Sequence, residues 1–217
     1  MPPTPRKTQR KTPATRNSRH PHQKILGQDP VMREVMKAVG PLPGFYRERT
    51  DFETVCRIIT GQQLSYAAAT TIWKRVRALR ESWEPQTVSR IKPATLTTCG
   101  LSGSKAKFIL EVAKRVTTND LDFALIRDLP DEDAHEQLLS IKGFGPWSVE
   151  MFMIFALDRP DVFSVGDAGI RRAVCSLYHL PKARYESRVL KLAETWRPYR
   201  SFACRYLWGW LDVAARK

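Results

Sequence analysis

A short segment in the middle of the chain, residues 138–147, constrains the fold most strongly. Its two glycines, Gly143 and Gly145, stand on either side of Phe144, and glycine allows a sharp turn and a close approach to another chain. Pro146 follows them, and proline suits the first position of a helix, where its missing N–H is no loss. The segment therefore predicts a helix, a tight hairpin and a second helix whose free N–H groups can bind a phosphate.

The net charge of the chain indicates what kind of phosphate-bearing partner the hairpin binds. The 217 residues carry a formal net charge of +14 at pH 7, which favours DNA, RNA or an anionic membrane surface as a partner. The longest apolar run, residues 151–157, is far shorter than the roughly 20 residues that span a bilayer. We expect a nucleic-acid partner, no membrane, and an intracellular protein: nucleoid-associated in the cytoplasm of a bacterium or archaeon, nuclear in a eukaryote.

Cysteine and histidine spacing argues against a metal centre. The four cysteines are far apart and form no C-x-x-C pair, and the histidines form no H-E-x-x-H motif, so a zinc or iron–sulfur site is not expected. Buried, reduced thiols explain the cysteines better.

The chain divides into a basic tail and one domain. Residues 1–24 hold seven of the fourteen net positive charges and no acid, and such a segment is expected to be disordered on its own. It either raises DNA affinity or is a solvated arm. Residues 25–217 show helical periodicity and no alternating strand, which predicts an all-α domain with the helix–hairpin–helix at about 132–157. Further helices are expected at residues 105–116, 167–178, 183–196 and 200–215.

Asp167 lies twenty residues after Trp147, which stands in the first turn of the second hairpin helix. A carboxylate close to bound nucleic acid can convert a binding hairpin into an enzyme. Asp167 also fits the N-cap of the next helix, a position that acids favour, and the two roles can coexist.

The motif Gly143-Phe144-Gly145-Pro146-Trp147, followed by Val165-Gly166-Asp167, resembles the helix–hairpin–helix DNA glycosylases of the 3-methyladenine DNA glycosylase II type. The matching segments are residues 51–69, 96–113, 138–172 and 196–212. The resemblance implies an all-α fold of two lobes with the active site in the cleft between them. It also implies a monomer that acts on double-stranded DNA containing alkylated bases and requires no cofactor. The chain resembles the short form of the family, without an N-terminal sheet domain.

The resemblance assigns roles to several residues. Asp167 would stabilise the oxocarbenium-like sugar, and Trp147 stands where bifunctional relatives carry a nucleophilic lysine, which implies base excision without strand cleavage. An extruded base would meet the aromatic pocket positions Trp147 and Trp208, with Met151 and Phe155 beside them; core packing is the other explanation for all four.

The same resemblance places DNA contacts around the pocket. Gln63 would fill the gap left by the flipped base, with Leu64 as the alternative wedge. Phosphate contacts would come from the N–H groups of Gly143, Gly145 and Trp147, with further contacts from Lys142, Ser104 and Lys105. The carbonyls of Leu139, Ile141 and Phe144 would hold a monovalent cation, Na⁺ or K⁺.

Two other functions stay open at this point. A glycosylase for deaminated or oxidised bases would share the fold and the carboxylate. A non-catalytic helix–hairpin–helix DNA-binding module would share the hairpin, but it would not need an acid such as Asp167 facing a polyanion.

Overall fold

All regular elements in the described residues are helices. The computed structural model describes residues 21–42, 51–180 and 185–216, and this part of the chain contains no strand, as the sequence predicts. The helices are α1 Pro21–Leu26, α2 Pro30–Val39, α3 Asp51–Gly61, α4 Tyr66–Arg77, α5 Pro85–Val88, α6 Pro93–Thr98, α7 Gly103–Thr117, α8 Phe123–Asp128, α9 Asp131–Leu139, α10 Pro146–Phe155, α11 Ala168–Leu177, α12 Tyr185–Glu194 and α13 Arg200–Ala214.

The folded domain begins earlier than the expected boundary at residue 25. Most of the predicted tail, residues 1–20, lies outside the described residues, but Pro21–Leu26 forms helix α1. Leu26 is fully buried, and the His22 ring stacks on Phe202 of α13 with centroids 4.1 Å apart. These contacts hold the end of the predicted tail against the domain.

Helix α10 is the centre of the first group of helices. Its side chains are apolar almost all round, and Val149, Phe152 and Ile154 are fully buried, which is the pattern of a helix inside a core. It packs against α3 and α9, and α3 in turn packs against α4 and α7.

A second group consists of helices from both ends of the chain. Helix α13 packs against α2 and α11. The Asp29 carboxylate, which caps α2, accepts hydrogen bonds from Tyr178 Oη at 2.6 Å and Trp196 Nε1 at 3.1 Å. This half-buried polar contact joins the start of the domain to its last helices, and the two groups of helices correspond to the two lobes that the family resemblance implies.

Helix α8 was not anticipated from the sequence. Asp122 caps it by accepting from the N–H groups of Ala124 and Leu125, and the helix buries Phe123 and Ile126. Six residues are too few to show a helical repeat, so a cap and two buried positions are the only signals.

Candidate active site

The hairpin between α9 and α10 depends on one of its two glycines. Gly143 has φ +89°, and a Cβ at this position would lie 2.3 Å from Cδ2 of the Phe108 ring on α7. Gly145 caps α10 with the ordinary φ of −109°, and a Cβ there would meet no atom within 4 Å. Gly143 is therefore required by the fold, whereas Gly145 leaves open space at the surface of the hairpin.

The N–H groups of the hairpin are available for a ligand. In the described part of the chain, the backbone N–H groups of Gly143, Gly145 and Trp147 have no backbone acceptor. They lie at the start of α10, where the helix dipole is positive, and this arrangement suits a phosphate oxygen.

Two lysines line a groove beside the hairpin. Lys142 and Ser104 line the same surface cavity of about 420 Å³, together with Lys107 and Glu111. The sequence reasoning named the first two residues but missed Lys107, because only the docking of α7 on the hairpin brings it to Lys142.

The structure gives Lys105 another partner. Its ammonium donates to the carbonyls of Thr60 at 3.0 Å and Gln62 at 2.6 Å, and so caps the end of α3. Burial lowers the pKa of Lys105. Two of the three N–H groups of this ammonium are therefore in use, and only the third is left for the predicted phosphate contact.

The loop after α3 is tied to the hairpin and presents the predicted wedge. The Gln62 amide donates to the Gly143 carbonyl at 2.7 Å and to Ser148 Oγ at 2.9 Å. Gln63, at φ +57°, is exposed. Leu64 is 39% exposed and Tyr66 is 74% exposed. The loop therefore offers both wedge candidates to solvent, along with a tyrosine that the sequence reasoning did not single out.

Asp167 lies where the two groups of helices meet. As the N-cap of α11, its Oδ1 accepts from the Ile170 N–H at 2.8 Å. Its Oδ2 accepts from Trp147 Nε1 of α10 at 2.7 Å, and its Oδ1 also accepts from Trp208 Nε1 of α13 at 2.9 Å. Three donors from three helices fix the orientation of one carboxylate, which also forms the N-cap of α11.

The two tryptophans therefore form hydrogen bonds to Asp167 and also place aromatic rings beside it. Each half-buried indole binds the carboxylate through its N–H, and the Trp208 ring also stacks on Phe155, with centroids 5.7 Å apart. Met151 is only 6% exposed and belongs to the core. Trp147, Trp208 and Phe155 thus lie together at Asp167, whereas Met151 offers little accessible surface.

Gly169 allows this approach, and the sequence reasoning missed it. A Cβ on Gly169 would lie 3.0 Å from Asp167 Oδ1 and 3.2 Å from Trp208 Cδ1. A side chain here would push Trp208 away from the carboxylate.

A second carboxylate, Glu150, also escaped the sequence reasoning. Ser164 Oγ donates to Glu150 Oε2 at 2.5 Å. Burial raises the pKa of Glu150, the charge of Asp167 raises it further, and the hydrogen bond from Ser164 opposes the shift. Glu150 follows Trp147 by three residues, and this spacing indicates that Glu150 lies near the site only once Trp147 is known to contact Asp167.

The three carbonyls of the expected cation site differ in the hydrogen bonds that they already accept. The Ile141 carbonyl accepts the Phe144 N–H at 2.9 Å, while those of Leu139 and Phe144 accept no backbone N–H within the described ranges. Neutral carbonyl oxygens with free lone pairs suit a hard monovalent cation.

Other kinds of site find no support in the described ranges. These ranges contain no group of three metal-binding side chains and no helix long and apolar enough to cross a membrane. All four cysteines are free thiols.

The sequence matches the family described as HhH-GPD superfamily base excision DNA repair protein over residues 56–198. The chain belongs to this superfamily.

Individual relatives narrow the comparison. The chain is 30% identical to DNA-3-methyladenine glycosylase 1 of Schizosaccharomyces pombe, over 85% of this chain and 83% of the relative. It is 28% identical to the putative DNA-3-methyladenine glycosylase YfjP of Bacillus subtilis, and that alignment covers 72% of this chain but only 58% of the relative.

Solved structures agree with these relatives. The S. pombe 3-methyladenine DNA glycosylase in complex with abasic DNA superposes with a TM-score of 0.79 at 29% identity, over 86% of this chain and 94% of that one. A DNA-3-methyladenine glycosidase from Bacillus halodurans gives a TM-score of 0.74 at 31% identity, over 92% and 93% of the two chains. The 8-oxoguanine glycosylase/lyase of Clostridium acetobutylicum, at 18% identity and a TM-score of 0.73, shares the fold alone.

Proposed function

We propose that this protein is a monofunctional DNA glycosylase that removes alkylated bases, mainly 3-methyladenine and 7-methylpurines, from double-stranded DNA. The observation that carries the proposal is the Asp167 carboxylate, held by Trp147, Trp208 and the Ile170 N–H beside a hairpin with free N–H groups. The relatives named as 3-methyladenine glycosylases support the substrate class.

Binding begins with the phosphate backbone. The N–H groups of Gly143, Gly145 and Trp147, with Lys142 and Ser104, take phosphates on one side of the lesion. The carbonyls of Leu139, Ile141 and Phe144 would hold a monovalent cation, which would supply a further positive charge there. The damaged nucleotide leaves the stack. Gln63 or Leu64 fills the gap it leaves.

The extruded base is placed against aromatic rings. Trp147, Trp208 and Phe155 provide electron-rich faces, and a cationic alkylpurine is attracted to such faces more strongly than a neutral base. This attraction favours alkylated over normal bases.

Bond cleavage requires stabilisation of positive charge on the sugar. The C1′–N bond breaks with its electron pair leaving on the base, so a cationic methylpurine departs as a neutral molecule and needs no general acid. Asp167 stabilises the oxocarbenium-like sugar that remains. Asp167 orients a water molecule, which forms a bond to C1′ and gives its proton to the Asp167 carboxylate, from which the proton passes to solvent.

The chemistry at position 147 favours hydrolysis alone. The indole of Trp147 cannot form a Schiff base, and its N–H is already bound to Asp167. Lys142 lies on the far side of the hairpin, and Lys105 caps α3. The enzyme therefore leaves an abasic site. From the family resemblance, we further propose that it acts as a monomer and requires no cofactor.

The direct test is incubation with methylated genomic DNA and identification of the released bases by mass spectrometry. We expect 3-methyladenine and 7-methylguanine to be released, with no nicked strand. Release of uracil or an oxidised base instead would assign another substrate class. Tight DNA binding without any released base would identify a non-catalytic DNA-binding module.

A further inference from the structure

A second carboxylate next to Asp167 has no part in the mechanism above. Glu150 follows Trp147 by three residues on α10, so the two side chains lie on the same face of the helix. Its Oε2 accepts a hydrogen bond of 2.5 Å from Ser164, and Ser164 is 0% exposed. A carboxylate bound to a fully buried hydroxyl cannot be an ordinary solvated surface acid.

Ser164 connects Glu150 to the turn that carries Asp167. The Ser164 carbonyl accepts the Asp167 N–H at 3.2 Å, while its hydroxyl donates to Glu150. Helix α10 therefore holds this turn at two points. One is the bond from Trp147 to the Asp167 carboxylate, and the other is the bond between Glu150 and Ser164.

Both carboxylates lack an ion-pair partner in the described part of the chain, and Arg171, one turn after Asp167 on α11, lies over the Tyr185 ring, 5.0 Å from its centroid. Throughout residues 21–42, 51–180 and 185–216, no Lys, Arg or His forms an ion pair with Glu150 or Asp167. From α13, the thiol of Cys204 faces both carboxylates, and burial raises its pKa to about 12, so that it is neutral at pH 7. Arg200, whose charge also reaches Cys204, is bound to Asp161.

We propose that Glu150 is a positioning residue that orients the Asp167 turn through Ser164 and supplies a second negative charge, which the positive charge on the flipped nucleotide neutralises. Two neighbouring carboxylates that form no ion pair with any described residue make a site that a cationic ligand would complete. The inference rests on the proposed glycosylase function and refines it, because the pair favours lesions whose bases carry a positive charge.

The test compares two DNA duplexes that differ only in charge at the sugar position. One carries a pyrrolidine abasic analogue, whose ring nitrogen is cationic, and the other carries the neutral tetrahydrofuran analogue. We expect Glu150→Gln, which keeps the size of the side chain, to lower the preference for the cationic duplex about tenfold, as expected for removing one nearby charge in a partly buried site. Affinity for the neutral duplex should not change. The matched control is Glu34→Gln, on the exposed surface of α2, which changes the net charge equally.

A second measurement needs no variant. Because its pKa is raised, Glu150 takes up its proton at a higher pH than an ordinary glutamic acid. The preference of the wild-type protein for the cationic duplex should therefore decline as the pH falls through that raised pKa. Glu150→Gln should lack this step. Ser164→Ala keeps the charge, so it should keep most of the charge preference while slowing excision.

The outcomes separate this inference from the proposed function. Wild-type preference in Glu150→Gln, or an equal loss of affinity for both duplexes, overturns the role of Glu150 while base release by the wild-type protein leaves the glycosylase function intact. A wild-type protein that releases no base from methylated DNA overturns both.

Discussion

At the scale of single residues, the site is built around the orientation of one carboxylate. Asp167 has a backbone donor on its own helix and an indole donor from each of two others. Hydrogen bonds to an ionised group are stronger than those between neutral groups. The two tryptophans therefore contribute through their N–H groups as well as through their ring faces.

Removal of one indole N–H should slow the chemical step. We expect Trp208→Phe to lower the single-turnover excision rate about 10- to 100-fold, since a hydrogen bond to a charged group contributes about 1.5–3 kcal/mol. The ring remains, so DNA affinity should stay within a few-fold of wild type. Trp210→Phe, two residues along α13, is the control, and an equal effect of both variants would argue against the hydrogen bond as the cause.

The residues that sequence reasoning found and missed differ in a physical way. Asp167, Trp147 and Trp208 lie in a recognisable motif or at matching positions, so the sequence singled them out, and the structure places both tryptophans in contact with Asp167. Glu150 and Gly169 act through contacts with residues that lie elsewhere in the chain, Ser164 and Trp208. Nothing in their local sequence indicates those contacts.

At the scale of elements, the hairpin is positioned by its neighbours as well as by its own turn. Gly143 lies against Phe108 of α7, and Gln62 from the loop after α3 binds the Gly143 carbonyl. The sequence predicted the hairpin and α10 well, because glycine, proline and a continuous apolar helix are local signals. It did not predict which helices dock on the hairpin, so Lys105 was assigned from its place in the sequence alone and Lys107 was missed.

The two hairpin glycines should respond differently to alanine. Gly143→Ala should lower the free energy of unfolding by about 1–3 kcal/mol, because the backbone is left-handed there and the new Cβ would overlap the Phe108 ring. Gly145→Ala should leave stability almost unchanged but weaken DNA binding, since its Cβ would occupy the space where a phosphate approaches. Urea unfolding and DNA titration measure the two effects. Equal destabilisation by both variants would contradict the assigned geometry.

At the scale of the whole molecule, charge is distributed in two ways. The chain as a whole carries a net charge of +14, whereas the centre of the site holds two carboxylates. Positive charge at the periphery attracts DNA over a long range and independently of sequence. Under the proposed function, the negative centre acts only on the nucleotide that has been extruded. No local sequence pattern revealed this contrast, because the overall charge follows from composition and the acidic centre only from the fold.

Removing residues 1–20 should affect binding and leave chemistry unchanged. This segment contains six Lys and Arg residues and no acid, and each neutralised phosphate contributes about 0.9 to the salt dependence of DNA affinity. The truncated protein should bind undamaged DNA more weakly, with a smaller slope of log affinity against log salt. The single-turnover excision rate at saturating protein should match that of the full chain. An unchanged slope would mean that the segment is a solvated arm.

The central claim is that Asp167 is the catalytic carboxylate, and Asp167→Asn tests it most directly. Asparagine can still accept the Ile170 and Trp208 N–H groups through Oδ1 and cap α11, so the fold should be retained. The negative charge is lost, and so is the hydrogen bond from Trp147 to Oδ2, where the asparagine amide would be a donor. The measurement is the single-turnover rate of 7-methylguanine release from a defined duplex at saturating protein. We predict a fall of at least about 100-fold, with DNA affinity close to wild type and a cooperative thermal unfolding transition that shows a folded protein. A rate close to that of the wild-type protein would contradict the account.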